Sequence, residues 1–167
     1  LHVCNAVLVY ALVHQLVVLD KRTSPQNAFV KIATAGGAAA IFLVHPLATQ
    51  AVDYIWQRST LLAAFFYLGT IVLYLQARFG GGFVYCAAAW IACLCAMLSK
   101  EIAFTLPAMI ILMEVLFLRD NKPQPKMFTW LLPFVLMMGL IPFLLGREGT
   151  GRIEMMRPYS LTQGVGE

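Results

Sequence analysis

The chain has 167 residues, of which 60% are hydrophobic and only 12% are charged. A soluble domain usually carries about 25% charged residues, so this composition argues against a soluble domain and predicts an integral membrane protein. The formal net charge of +4 comes from basic residues scattered among short polar segments, so we expect membrane lipid as a partner and no nucleic acid.

Six apolar segments follow one another along the chain, and each is at or near the length of about 17 to 25 residues that a transmembrane helix needs. They lie at residues 1–19, 28–47, 60–77, 83–98, 102–118 and 128–146. The sequence therefore predicts an all-α fold, a polytopic membrane bundle of about six transmembrane helices over residues 1–146. Residues 147–167 are polar and contain glycine, and we expect them to form a tail on the outer face.

Proline, glycine and charged residues mark where these helices end. The first helix should run from His2 to Leu19, and the second should end at His45-Pro46, because a residue before proline is pushed out of helical geometry. Gly80-Gly81-Gly82 predicts a tight turn between the third and fourth helices. The fifth helix should carry Pro107 about one turn inside. Because the chain begins within an apolar segment, we expect it to be an excerpt of a longer protein.

A polar stretch interrupts the apolar pattern between the second and third segments. On a helix at about 100° per residue, residues 47–58 separate into a polar half and an apolar half. The sequence therefore predicts a short amphipathic helix at the bilayer surface, with its polar half facing a cavity or water. That half carries Thr49, Gln50, Asp53, Tyr54, Gln57 and Arg58.

The distribution of Lys and Arg predicts which helix ends face the cytoplasm, since cytoplasmic loops carry an excess of these residues. Only Arg58 and Lys100 follow the second and fourth helices. Seven basic residues follow the first, third and fifth helices: Lys21, Arg22, Lys31, Arg78, Arg119, Lys122 and Lys126. The count therefore places the polar stretch, the start of the first helix and Ser99-Lys100-Glu101 together on the outer face.

These three groups form a candidate binding site, since ionisable residues at membrane depth are costly and often functional. Arg58 and Lys100 would bind a phosphate, the arginine through its planar fork and the lysine as a point charge, and Glu101 would orient Lys100. Such a cavity suits a lipid-linked phosphate, whose tail stays in the bilayer. The candidate residues are His2, Asn5, His45, Thr49, Gln50, Tyr54, Gln57, Arg58, Ser99, Lys100 and Glu101.

Structural roles for several of these residues stay open. Lys100 and Glu101 would serve equally as a structural ion pair, and an alternative role for Arg58 is to reach lipid phosphates at the surface. His2 would serve equally as a hydrogen-bond donor in helix packing. Glu114 is expected to form a local pair with Arg119. No cluster of His, Asp or Glu has the spacing of a metal site.

Two of these stretches resemble the signatures of a known membrane family. His45 to Arg58 resembles the pattern HP-x-x-T-[EQ]-x-V-x-x-I-x-x-R of the transmembrane and tetratricopeptide-repeat O-mannosyltransferases and their bacterial homologues, in the GT-C glycosyltransferase superfamily. Leu98-Ser99-Lys100-Glu101 resembles the second signature of that family, L-S-K-E. Leu1 to Asn5 is similar to the H-x-x-N opening of an early family helix, and Tyr159 to Gln163 resembles the stretch before a later one.

The resemblance implies a glycosyltransferase. Such an enzyme moves a sugar, a hexose such as mannose, from a polyprenyl-phosphate donor to an acceptor hydroxyl, with protein as the expected acceptor. The site would face the non-cytoplasmic side of a bacterial inner membrane or of the endoplasmic reticulum. The catalytic residue is unknown, because the family's carboxylate base would precede Leu1. No cofactor is implied beyond the lipid-linked donor.

Two functions of other classes remain open on the sequence alone. A non-catalytic membrane anchor, or scaffold for a tetratricopeptide-repeat domain, would keep the helices and lose the upstream base. A transporter is a third possibility, although two matching halves with discontinuous helices are not visible in the sequence.

Overall fold

The computed structural model describes residues 1–19, 28–46, 58–118, 130–137 and 139, and within these ranges the protein is all helical. The predicted interfacial helix and the predicted polar tail therefore lie outside the described residues. Six α-helices are named here in chain order: α1 (His2–Leu19), α2 (Ala28–Val44), α3 (Arg58–Gln76), α4 (Gly82–Ser99), α5 (Leu106–Met113) and α6 (residues 130–137).

A glycine turn folds α3 and α4 into a helical hairpin. A π-helical turn, Ala77–Gly81, ends α3, and Gly80 and Gly82 have φ angles of +128° and +74°. Because glycine adopts positive φ without a Cβ clash, the predicted tight turn forms at this position. The far ends of the two helices meet again at a hydrogen bond between Lys100 and Thr60.

A second break separates α4 from α5. Lys100 has extended backbone angles, φ −162° and ψ 144°, and a 3-10 helix, Glu101–Thr105, follows it. Pro107 lies in the first turn of α5, where proline needs no helical N–H partner. Pro107 therefore lies about one turn inside the fifth helical segment, as predicted, but that segment begins as a 3-10 helix and becomes α-helical only at Leu106. A π-helical segment, Glu114–Leu118, continues from α5.

The buried core lies between α3, α4, α5 and α6. Tyr74 and Leu75 from α3 pack there with Leu106 and Ile110 from α5 and Phe134 from α6, and all five are at most 1% exposed. Small residues of α4, among them Ala89, Cys93 and Ala96, complete this core. On its other side α3 packs against α1, which in turn packs against α2.

Among the described residues, two helices are long and apolar enough to cross a membrane by length and composition, His2–Leu19 and the continuous stretch Arg58–Ser99. The second has 42 residues and would be about 63 Å long if straight, twice the hydrocarbon thickness of about 30 Å. The glycine turn instead divides it into α3 and α4. The described residues thus confirm an all-α fold with two candidate spans, and they do not confirm the predicted count of six.

The outer surface of these helices is apolar, and polar side chains lie inside. The most apolar stretch of His2–Leu19 is only 11% buried, and the most apolar stretch of Arg58–Ser99 is 28% buried. The core helix of a soluble protein, in contrast, is mostly buried. Large exposed side chains include Phe29 at 81% and Val84 at 76%. A polar interior within an apolar exterior favours lipid over water as the surrounding medium.

Candidate functional site

The helix ends that carry the predicted site residues come together at one end of the bundle, named here the Lys100 end. The start of α1 meets the end of α2 there through His2 and Leu43. The start of α3 meets the end of α4 through Thr60 and Lys100. The opposite end, named the Arg78 end, holds the glycine turn.

Lys100 contacts the first turn of α3. Its Nζ donates a hydrogen bond of 2.5 Å to Oγ1 of Thr60, and the side chain is otherwise exposed. The extended backbone at Lys100 ends α4 and turns the side chain toward α3, away from the following 3-10 helix. The ammonium group is therefore held at one position while part of it stays accessible to a ligand.

Glu101 does not orient Lys100. Both residues are exposed, and no salt bridge joins them within the described part of the chain. The predicted pairing, whether functional or structural, is therefore wrong, because Glu101 begins the next helical turn while Lys100 contacts Thr60. Ser99, the third member of this motif, donates a 2.6 Å hydrogen bond from Oγ to the carbonyl of Cys95 in its own helix.

Arg58 is the first described residue of α3. It is exposed, and the first turn of α3 contains no acidic residue. With Lys100 on Thr60, two cationic side chains lie at the start of this helix, and Arg and Lys are the side chains that bind a phosphate.

His2 and Asn5 hold helices together at the Lys100 end. The ring of His2 donates from Nε2 to the carbonyl of Leu43 at 3.1 Å and stacks on Phe42, with ring centroids 5.4 Å apart. Asn5 is fully buried, and its Nδ2 donates to the carbonyl of Leu61 at 3.1 Å. The structure thus supports the packing role that the sequence left open for His2. Asn5 lies behind the site and does not line an open cavity.

Several predicted site residues cannot be placed relative to these groups. Thr49, Gln50, Tyr54 and Gln57 lie outside the described residues. His45 follows the end of α2 and is exposed, at the same end of the bundle as His2. The part of the prediction that the structure brings together is therefore His2, Asn5, His45, Arg58, Ser99, Lys100 and Glu101.

An apolar cleft opens directly beside Lys100. It has a volume of about 470 Å³ and lies between the end of α2, the first half of α3 and the 3-10 helix. Its lining includes Phe42, Thr60, Ala63, Tyr67, Ile102 and Thr105. Thr60 lines the cleft and also accepts the hydrogen bond from Lys100, so the ammonium group is one hydrogen bond away from a lining residue of this apolar space.

Sequence reasoning missed a buried polar cluster at the Arg78 end. Glu114 accepts a hydrogen bond of 3.0 Å from Nε of Arg78 and one of 2.9 Å from the hydroxyl of Tyr74. The charged pair is buried, each side chain being 2% exposed. Glu114 was predicted to form a local pair with Arg119, and its carboxylate instead makes these contacts with another helical segment. The signal in the sequence was an acidic residue and a basic residue near the ends of two apolar segments that lie side by side.

Comparison of the chain with protein-family models, with characterised proteins and with solved structures gives no match.

Proposed function

We propose that this chain is the membrane part of a glycosyltransferase of the GT-C type, which moves a sugar from a polyprenyl-phosphate donor to an acceptor hydroxyl. The observation that carries the proposal is the pair of cations at the N-terminus of α3. Arg58 begins that helix without an acidic neighbour in its first turn, and Lys100 donates to Thr60 two residues further on. A phosphate group would neutralise both cations and accept hydrogen bonds from their side chains.

The apolar cleft beside Lys100 supports a lipid-linked phosphate over a soluble one. Its lining is dominated by aromatic, aliphatic and alanine side chains, with Thr60 at the cationic mouth. A polyprenyl chain is apolar along its whole length, so burial of its first units in the cleft would add to the binding that the phosphate contacts supply. A sugar phosphate without a lipid would leave this cleft empty.

The wider architecture of the proposal is a multi-pass protein whose Lys100 end faces the non-cytoplasmic side. Six spanning segments, with α1 to α4 as four of them, would follow the apolar pattern of the sequence. Arg78 is buried against Glu114 and is not a loop cation, so it no longer counts among the loop Lys and Arg residues that determine membrane orientation. Six basic residues then remain on the proposed cytoplasmic side against two on the other, and the bias keeps its direction.

The transfer activity of the full-length protein tests the proposal. Purified protein in lipid vesicles is supplied with a polyprenyl-phosphate hexose and an acceptor peptide, and the sugar that reaches the peptide is measured. We expect Arg58→Ala to lower transfer strongly while expression and thermal stability stay unchanged. Lys31→Ala is the matched control, because it removes a cation from the first turns of α2, at the Arg78 end.

Two outcomes would contradict the proposal. Full transfer by Arg58→Ala at normal expression would remove the phosphate role of this residue. No transfer by the wild-type protein with any polyprenyl-phosphate sugar would favour the non-catalytic anchor instead.

A further inference from the structure

Thr60 is the residue that connects Lys100 to the apolar cleft. It follows Arg58 by two residues in α3, it is partly exposed, and it lines the cleft. Its Oγ1 accepts the 2.5 Å hydrogen bond from Nζ of Lys100, and this contact lies at an exposed position. A ligand that enters the cleft can therefore reach both partners of the hydrogen bond.

The direction of this hydrogen bond leaves donors for a ligand. An ammonium group has three N–H donors and no acceptor, so Thr60 accepts from Lys100 and cannot donate to it. The hydroxyl proton of Thr60 is then available to an acceptor other than Lys100, and so are the remaining N–H groups of the lysine. The pair therefore offers a hydroxyl donor and a cationic donor side by side.

The cation makes the hydroxyl group of Thr60 a better donor to an anion. A hydroxyl oxygen that accepts a hydrogen bond from an ammonium group is polarised, and successive hydrogen bonds of this kind strengthen one another. Hydrogen bonds to an ionised acceptor such as a phosphate oxygen are roughly twice as strong as those between neutral groups. A phosphate therefore gains more from this pair than an uncharged headgroup does.

Thr60 also determines on which side of Lys100 the ammonium group lies. Lys100 lines a second cavity, of about 590 Å³, together with Ser99, Glu101 and Phe104 from the end of α4 and the 3-10 helix. The flexible stem of a lysine allows its ammonium group several positions, among them one near the carboxylate of Glu101. The hydrogen bond to Thr60 holds the group on the side of α3 and the apolar cleft instead.

From these observations we infer that Thr60 is a binding and positioning residue for a phosphate group attached to an apolar chain. Its Oγ1 holds the ammonium group of Lys100 beside the cleft, and its O–H group donates a further hydrogen bond to the same phosphate. The inference rests on the proposed function and adds to it the requirement for a hydroxyl group at position 60.

The affinity of the full-length protein for polyprenyl phosphate, measured by calorimetry in phosphatidylcholine nanodiscs, tests this role. Thr60→Val keeps the shape of the side chain without its hydroxyl group and should weaken binding about tenfold, or about 1.4 kcal/mol. Thr60→Ser keeps the hydroxyl group and should bind as the wild type does. Thr34→Val makes the matched change at an exposed position of α2 that lines neither cavity, and it should also leave the affinity unchanged. A Thr60→Val protein that binds as tightly as the wild type would overturn the inference.

A polyprenol of the same chain length separates phosphate binding from a purely structural role. This alcohol has the apolar chain and no phosphate, so the wild type and Thr60→Val should bind it equally. Loss of polyprenol binding by Thr60→Val, as large as its loss of polyprenyl phosphate binding, would show that Thr60 only maintains the shape of the cleft. That result would also overturn the inference.

The double variant Thr60→Val/Lys100→Met tests whether the two residues act together. Residues in one hydrogen-bond network have non-additive effects, so the double variant should lose less affinity than the product of the two single losses. Independent losses would contradict the positioning of Lys100 by Thr60. A wild-type protein that does not bind polyprenyl phosphate would contradict the proposed function itself, whereas weak binding by Lys100→Met and normal binding by Thr60→Val would contradict this inference alone.

Discussion

At the scale of single residues, the least expected feature is the buried cluster of Tyr74, Arg78 and Glu114. Two charges in an apolar interior are tolerated only when they pair and their remaining polar atoms are bonded. Glu114 meets this condition with one hydrogen bond on each carboxylate oxygen. The cluster joins α3 and the turn after it to the segment after α5, and it fixes how these elements align.

Removal of the buried carboxylate charge should destabilise the protein strongly. Glu114→Gln leaves the charge of Arg78 buried without its anionic partner, and breaking such a pair costs about 3–5 kcal/mol. Thermal unfolding in detergent would show a large fall in Tm. Glu101→Gln, at an exposed carboxylate, should leave Tm almost unchanged. Equal Tm values for both variants would mean that the pair does not hold the helices together.

Loss of the tyrosine hydroxyl should have a smaller effect of the same sign. Tyr74→Phe removes one hydrogen bond to a charged group, which contributes about 1.5–3 kcal/mol. The same unfolding assay measures it, with Tyr67→Phe as control because Tyr67 is partly buried and makes no hydrogen bond among the described residues. A Tyr74→Phe protein as stable as this control would contradict the account.

At the scale of helices, the sequence predicted boundaries better than contacts. The apolar run from His2 to Leu19 coincides with α1, and Gly80-Gly81-Gly82 lies at the predicted turn, because apolar periodicity and glycine act locally. The pairing of Arg78 with Glu114 spans 36 positions and depends on which helices pack together, which local patterns do not encode. For the same reason the sequence paired Lys100 with its neighbour Glu101, whereas the structure pairs it with Thr60.

Alanine substitutions at Gly80, in the turn, and at Gly69, in α3, should change the stability of the hairpin in opposite directions. Gly80→Ala forces a Cβ onto a residue with φ of +128° and should destabilise the hairpin by about 1–2 kcal/mol. Gly69→Ala, in the middle of α3 with no described atom within 4 Å of the new Cβ, should stabilise it by up to about 1 kcal/mol. Unfolding midpoints that shift in the same direction would contradict this assignment of the turn.

At the scale of the whole molecule, the bundle has two chemically different ends. The Lys100 end carries the exposed cations Arg58 and Lys100 near an apolar cleft. The Arg78 end carries a cavity whose described lining includes Gln15 and Gln76, and a buried ion pair. The sequence predicted that polar groups gather at the Lys100 end. The count of Lys and Arg between the helices, together with the alternating direction of successive helices, is enough to assign these groups to one side. It did not predict either cavity, since a cavity depends on side chains from three elements.

The orientation in the membrane has its own test. In a variant with all four cysteines replaced by alanine, Ser59→Cys should react with a membrane-impermeant maleimide added outside intact cells. Phe79 lies in the turn of the hairpin and is 45% exposed, and Phe79→Cys should react only after the membrane is permeabilised. Reaction of Phe79→Cys in intact cells, with Ser59→Cys protected, would reverse the proposed orientation.

The most direct test of the central claim, that Arg58 and Lys100 hold a lipid-linked phosphate, is the affinity of the full-length protein for a polyprenyl phosphate. Lys100→Met keeps the length of the side chain and removes its charge, and Lys31→Met makes the same change at the Arg78 end. We predict that Lys100→Met weakens binding about 10- to 150-fold, the effect of losing a charge-assisted hydrogen bond of about 1.5–3 kcal/mol, and that Lys31→Met binds as the wild type does. Equal affinities for the wild type and Lys100→Met would contradict the claim.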